Sequence, residues 1–249
     1  MNDRGVNMVA LITGGAGGIG ASLCREFATA GYKVAVNYFS SEENANSLTQ
    51  EIKDSGGVAK AYKADVSDME EVANMVAEVK KDFGDITVLV NNAGVAFQGL
   101  FSDTTQEVYE KVMDINVKGT FNTINAVLPG MISNKFGVVT NISSMWGQVG
   151  ASCEVVYSTS KAAIIGLTKA LAKEVGPSGI RVNCIAPGVI DTSMNDCHSE
   201  DDIKALIDET PLERIGNPID VARTAIFLAS EDASFITGQV IGVNGGFII

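Results

Sequence analysis

Between residues 9 and 30 the chain passes from a short apolar run, Val9-Ala10-Leu11-Ile12, through Thr13-Gly14-Gly15-Ala16-Gly17-Gly18-Ile19-Gly20 into an amphipathic stretch ending at Ala30. The apolar run reads as a buried strand and the stretch from Ala21 as a helix, which leaves the glycines in the turn between them. That order is restrictive. Glycines there allow a tight reversal and let the pyrophosphate of a dinucleotide approach backbone amides at the positive end of the helix. A second strand, Lys33 to Asn37, follows at the spacing a βαβ unit requires. No Gly-Lys-Ser/Thr closes the loop, which argues against a nucleoside-triphosphatase P-loop. The apolar run is also too short for the core of a signal peptide.

Strand and helix patterns keep alternating over all 249 residues, without a Pro- or Ser-rich linker, an internal repeat or a low-complexity tract. The expectation is a single α/β domain over residues 1–249. No apolar stretch approaches the roughly 20 residues needed to span a bilayer. The net charge of −12 argues against nucleic acid and anionic membrane surfaces as partners. Acidic runs such as Glu42-Glu43 and Asp68 to Glu71 read as solvated helix faces. Cys24, Cys153, Cys184 and Cys197 are scattered without metal-ligand spacing, which points to reduced thiols in the cytoplasm. His198, the only histidine, sits in a polar loop and reads as solvated, so no metal site is expected.

A second pattern carries chemistry. Tyr157 and Lys161 are four residues apart, which on a helix puts a phenol and an ammonium on one face. A phenol is a poor acid near neutrality, with a pKa of about 10. A neighbouring cation stabilises the phenolate and makes the hydroxyl a usable proton donor and acceptor. Taken alone, the pair also fits a solvated helix face; the glycine turn upstream favours the chemical reading.

The pattern Thr13-Gly14, Gly18 and Gly20 is followed by Asn91-Asn92-Ala93-Gly94 after a strand from Ile86 to Val90. Then come Asn116 in a run from Asp114 to Gly119, Ser144, Tyr157, Lys161 and Pro187-Gly188. In order and spacing this set resembles the short-chain dehydrogenases/reductases along nearly the whole chain. The resemblance implies one Rossmann-type domain, a doubly wound seven-stranded parallel sheet with helices on both faces. It also implies a homotetramer with 222 symmetry, built partly from the helix carrying Tyr157 and partly from the last strand. Tyr157 would be the catalytic acid/base, and Lys161 would hold the nicotinamide ribose and lower the tyrosine pKa. Ser144 would hold and polarise a substrate carbonyl, and Asn116 would anchor a water in a proton relay. The dinucleotide would meet Gly14, Gly18, Ile19, Gly20, Asn92, Ala93, Gly94, Pro187, Gly188, Val189 and Ile190, together with Tyr157 and Lys161. Thr192 would bond the nicotinamide amide, or else cap a helix. Asp65-Val66 resembles the pair that contacts the adenine, and otherwise forms an ordinary strand end.

Selectivity at the adenine end turns on the residue closing the second strand, where a carboxylate would bond the ribose hydroxyls and repel a 2′-phosphate. Tyr38 occupies that position. Gly17 and Phe39 stand where NADP-preferring members often carry arginine, and neither is basic. The run from Asn37 to Ser41, with Tyr38 and Ser40, still offers hydroxyl and amide donors beside helix N-terminal amides. It resembles members that use NADPH, so NADP(H) is expected in preference to NAD(H).

Substrate is expected between the segment Met145 to Glu154 and a lid over about 188–212, whose helical patch runs from Asp201 to Asp208. Trp146, Glu154 and Met194 are candidate contacts beside Ser144. The scaffold resembles 3-oxoacyl-acyl-carrier-protein reductases most closely, which implies reduction of a ketone to a secondary alcohol. Two departures bear on the substrate. Those enzymes dock an acidic carrier through basic residues near the site; Lys135 keeps that charge and Ser178 does not. Glu154, one helical turn before Tyr157, stands where those reductases carry a neutral residue. It would suit a substrate with an ammonium group near the ketone, and the segment Trp146 to Val155 also resembles reductases of the 5-aminopentanone group on modified elongation factor P. The other reading of Glu154 is an exposed glutamate favourable to the helix dipole. A hydroxysteroid or sugar dehydrogenase stays open. A non-catalytic dinucleotide sensor would typically lack Ser144, Tyr157 or Lys161, and a nucleotide-sugar epimerase or dehydratase would be longer.

Overall fold

A computed structural model describes residues 8–195 and 199–249; Cys197 and His198, expected as a reduced thiol and a solvated side chain, lie outside the described residues. The chain opens with β1 (Val9–Ile12), α1 (Gly18–Thr29), β2 (Lys33–Tyr38), α2 (Glu42–Asp54), β3 (Val58–Lys63), α3 (Met69–Phe83) and β4 (Ile86–Asn91). It continues with α4 (Gln106–Met113), a π-helical turn at Asp114–Lys118, α5 (Gly119–Asn134), β5 (Gly137–Ile142), α6 (Trp146–Val149) and α7 (Val155–Val175). The remainder is β6 (Ile180–Pro187), α8 (Glu200–Asp208), α9 (Pro218–Ala229) and β7 (Val240–Val243).

The seven strands form one parallel sheet in the order β3-β2-β1-β4-β5-β6-β7, as expected. Alternation along each strand sorts the core into two layers. In β1, Ala10 and Ile12 join Leu23, Phe27, Val221 and Leu228 beneath α1 and α9. Val9 and Leu11 join Val79, Ile124, Met131 and Val175 beneath α3, α5 and α7. Strands buried on both faces explain why the sequence shows short continuous apolar runs rather than alternation with polar residues.

Strand order reverses between β1 and β4, and in such sheets ligands bind outside the carboxyl ends of the strands at that reversal. The chain bends there in a way the sequence reading placed three residues late. The helix after the glycine turn starts at Gly18 rather than Ala21, so Gly18 and Gly20 belong to its first turn. A Cβ at Gly20 would meet the Gly14 carbonyl oxygen at 2.1 Å, so only glycine lets the helix pack this closely on the turn. β2 likewise runs one residue further than expected, which makes Tyr38 its last residue. Among the described residues, no helix is long and apolar enough to cross a membrane.

Candidate active site

A cavity of about 340 Å³ opens at the carboxyl ends of the central strands. Its nucleotide end is built by the first turn. Gly14 takes φ +60°, and a Cβ there would sit 2.9 Å from the Ala93 Cα, so glycine is needed for both conformation and contact. The Thr13 hydroxyl, buried below, accepts hydrogen bonds from the Asn92 and Ala93 amides, each at 3.0 Å. Asn92 in return donates its side-chain amide to the carbonyls of Thr13 and Gly14, both at 3.1 Å. Asn37 adds a third brace, accepting from the Gly14 amide at 3.2 Å.

Gly14, Gly17, Gly18, Ile19, Asn92, Ala93 and Gly94 line this end of the cavity. No side chain caps α1 at Gly17, and no acidic residue stands in its first turn. The positive end of a 12-residue helix therefore opens on the cavity with no carboxylate competing for its amides. These residues fit the diphosphate of a dinucleotide. Gly20 lies behind this wall, at the helix–turn contact, and is not part of the lining.

Tyr38, Ser40, Asp65 and Val66, expected at the adenine end, are not part of the cavity lining. Tyr38 is buried, and its hydroxyl is pushed above its ordinary pKa by burial, then by the charge of Glu42 and a hydrogen bond to it. A carboxylate thus reaches the Tyr38 hydroxyl from α2, four residues along the chain. Lys63, exposed at the end of β3, is the register partner of Tyr38. Ser40 is exposed. The Asp65 carboxylate accepts from the Ser67 amide at 2.8 Å and hydroxyl at 2.7 Å, and Val66 is buried against Gly119.

At the other end Ser144, Tyr157 and Lys161 all line the cavity. Ser144 follows β5, and its hydroxyl accepts from the Trp146 amide at 3.1 Å. Tyr157 and Lys161 share the inner face of α7, with the lysine Nζ 5.6 Å from the phenol ring centre. The amine donates to the Ile142 carbonyl at 3.0 Å. Burial pushes the Tyr157 hydroxyl up to about 12; a hydrogen bond from Ser144 pulls it down and the charge of Glu154 pushes it up. Burial pulls Lys161 down to about 8, against a smaller contribution from Cys184. Burial is the largest cause of both shifts, and the lysine's hydrogen bond goes to the backbone.

Asn116 lies in the π-helical turn, a feature that recurs at functional sites. Its side chain closes a ring with Val95, accepting from the amide at 2.8 Å and donating to the carbonyl at 2.9 Å. It also donates to the Ser160 hydroxyl at 2.9 Å, which in turn donates to the Tyr157 carbonyl at 2.7 Å. Asn116 is thereby tied to the helix that carries the tyrosine and lysine.

The substrate walls are Ala96, Gln98, Met145, Trp146 and Glu154 on one side and Ser193, Met194 and Leu206 from the lid on the other. Pro187, Gly188, Val189, Ile190 and Thr192 join the two ends of the cavity. The Thr192 hydroxyl donates weakly to the Ile190 carbonyl at 3.4 Å. Glu154 is the residue preceding α7 rather than a member of its first turn, and it does not cap the helix through its side chain. Within this chain Lys135 and Ser178 do not line the cavity: they precede β5 and β6, at the end of the strands opposite the mouth, and the six residues of β5 span roughly 20 Å. Ser160, Gln98 and Leu206 escaped the sequence reading, which names Thr13 only within the glycine pattern and Asn37 only as a donor to a phosphate. Thr13, Asn37 and Ser160 work through buried hydrogen bonds that no local pattern announces. Gln98 and Leu206 follow from the rule that ligands sit beyond the carboxyl ends of strands.

A dinucleotide cradle at the reversal of a doubly wound sheet, opening beside a buried tyrosine and lysine, defines a Rossmann-type oxidoreductase. The sequence model of the family described as enoyl-(acyl carrier protein) reductase matches residues 14–248. Among curated relatives, the 3-oxoacyl-[acyl-carrier-protein] reductase FabG of Staphylococcus aureus is 43% identical over 237 residues, covering 95% of this chain and 96% of that protein. The acetoacetyl-CoA reductase of Rhizobium meliloti is 43% identical over 242 residues, covering 97% and 98%. Among solved structures, a chain assigned as a gluconate dehydrogenase from Agrobacterium tumefaciens superposes with a TM-score of 0.93 at 28% identity, covering 96% of this chain and 95% of that one. The chain belongs to the short-chain dehydrogenase/reductase family: it is an oxidoreductase that interconverts carbonyl and alcohol groups with a nicotinamide dinucleotide.

Proposed function

We propose that this enzyme is a single catalytic domain that reduces a ketone to a secondary alcohol with NADP(H), with a 3-oxoacyl thioester as the substrate class. The observation that carries the reading is the convergence of the Ser144 and Tyr157 hydroxyls on one cavity whose far end is lined by Gly14, Gly17 and Gly18. Gly14, Gly17, Gly18 and Asn92 would hold the dinucleotide, which when bound would supply hydride for the carbonyl carbon. Ser144 holds the carbonyl oxygen with a preorganised hydrogen bond where negative charge develops. Tyr157, protonated at neutral pH, gives its proton to that oxygen. The phenolate left on Tyr157 is stabilised by Ser144 and by the Lys161 charge 5.6 Å from its ring. Asn116, held by Val95 and Ser160, keeps α7 in register with the β4 side of the cavity.

Tyr38 in place of a carboxylate at the end of β2 and Lys63 beside it support NADP(H), while Glu42 pulls toward NAD(H). Relatives reducing carrier-bound or coenzyme-A-bound acyl groups support the thioester. A cytoplasmic homotetramer fits exposed Tyr109 on α4, Phe121 on α5, Val155 at the start of α7 and Ile249. A tetrameric mass by light scattering is expected, and a monomeric one would remove that part of the reading.

A second reading rests on Glu154. It lines the cavity and stands close enough to Tyr157 to raise its pKa, a placement that suits a ketone carrying an ammonium group, such as an aminopentanone on a protein lysine. The test is NADPH oxidation, with NADH in parallel, using an acetoacetyl thioester, an aminoketone and a crotonyl thioester. Fastest turnover of the acetoacetyl thioester supports the first reading; the aminoketone supports the second; reduction of the crotonyl group alone would sink both. Under the second reading Glu154→Gln lowers aminoketone kcat/KM roughly tenfold and leaves the thioester within about twofold. An unchanged ratio would remove Glu154 from specificity.

A further inference from the structure

We propose that Phe247 is a positioning residue for the substrate wall, acting through Trp146, and that the segment from Asn244 to Ile249 ties that wall to the base of the lid. The proposal rests on the reading that a ketone occupies the cavity beside Trp146. Trp146 begins a helix of only four residues and lines the cavity, yet it is not packed into the core. What its indole meets is the Phe247 ring, edge to face, with ring centres 5.8 Å apart and an interplanar angle of 89°. Phe247 is not itself part of the cavity lining.

The backbone after β7 is shaped to deliver that ring. Gly245 and Gly246 take φ +65° and +88°, conformations that other residues rarely adopt. Asn244 clamps the turn, accepting from the Gly246 amide at 3.0 Å and donating to the Ile248 carbonyl at 2.9 Å. The outer side of the turn is pressed on the lid base. The Leu212 amide donates to the Gly245 carbonyl at 3.1 Å, and a Cβ at Gly245 would stand 2.6 Å from the Thr210 methyl. Thr210 in turn donates its hydroxyl to the Leu206 carbonyl at 2.6 Å. Leu206 is a lining residue on the lid helix. One short segment therefore connects two cavity walls, Trp146 and Leu206, that lie far apart in sequence.

Trp146 is the only tryptophan, so its emission reports this contact directly. In the full-length protein, Phe247→Leu should shift emission to longer wavelength and raise KM for the acetoacetyl thioester roughly three- to tenfold, the scale of one aromatic pair. kcat and the KM for the dinucleotide should stay within about twofold, and Phe247→Tyr should restore both readings. On a Trp146→Phe background, Phe247→Leu should add nothing to KM, because the residue it acts through is gone. Unchanged emission and KM in folded Phe247→Leu would overturn the proposal. So would equal rises in both KM values with a lower Tm, which would mark a merely structural role. Should Phe247→Leu not fold, Phe247→Tyr must still match the wild type, and a departure counts against the proposal. If the wild type reduces no ketone, the functional reading fails, and emission alone then decides the contact.

Discussion

Replacing Tyr157 by phenylalanine is expected to lower kcat for ketone reduction by roughly three orders of magnitude, within the range for loss of a positioned proton donor. Dinucleotide affinity should change by less than about twofold, because the ring stays in place and only a hydroxyl is lost. The direction follows from the electrostatics of the cavity. The hydroxyl is buried and held at about 12, so over the working pH range it carries its proton and is ready to donate. Phenylalanine leaves Ser144 able to hold the carbonyl oxygen but offers no proton as hydride arrives. Steady-state kinetics together with quenching of Trp146 emission by the dinucleotide separates the two quantities. A loss of less than tenfold would mean that another group supplies the proton.

Lys161→Met is expected to cost about two orders of magnitude or more in kcat and, at neutral pH, to make the protein more stable. Burial has pulled the lysine from its ordinary 10.5 to about 8. The folded protein therefore binds fewer protons than the unfolded chain between those two values, and stability rises with pH across that window. Below about pH 8 the full cost of the buried charge is present, roughly 3 kcal/mol from the size of the shift. Methionine removes that cost but leaves the Ile142 carbonyl without its partner, which returns about 1–2 kcal/mol. The net gain of about 1–2 kcal/mol corresponds to a Tm higher by roughly 2–8 °C. Thermal melts from pH 7 to 10.5 check the sign, since the gap between variant and wild type must narrow as pH rises. A less stable variant at pH 7 would show that the charge is better solvated than its burial implies.

The sequence carried the fold far because its signals are local. The apolar runs at residues 9–12 and 86–90, the glycines between strand and helix, and the i, i+4 pairing of Tyr157 with Lys161 each follow from a short stretch of chain. The reading erred where an outcome depends on three dimensions. Gly18 and Gly20 read as turn residues because glycine seldom opens a helix, yet Gly20 is required there by the approach of the Gly14 carbonyl. Sequence shows the charge and spacing of Tyr157 and Lys161 but not the burial that shifts both. Glu42 reads from sequence as part of a solvated helix face, whereas the first turn of α2 folds back to Tyr38. Thr13, a small polar residue among glycines, gave no sign that its hydroxyl would gather two amides from a strand end some eighty residues away.

That hydroxyl bears on how the molecule is made. β1 to β3 and β4 to β7 are the two halves of the sheet, and they meet only where β1 pairs with β4. Thr13 and Asn92 stitch this seam, one residue from each half, and the glycine cradle closes only when both are in register. Parallel pairing across such a sequence gap is slow to form, because a long loop must close before any contact rewards it. A chain with only its first half folded would present the glycine turn without its partner wall. A dinucleotide therefore binds the joined molecule, and its binding free energy stabilises that state. That row of hydrogen bonds, beside the packing of α1 on α9, couples the joining of the halves to completion of the cofactor's seat.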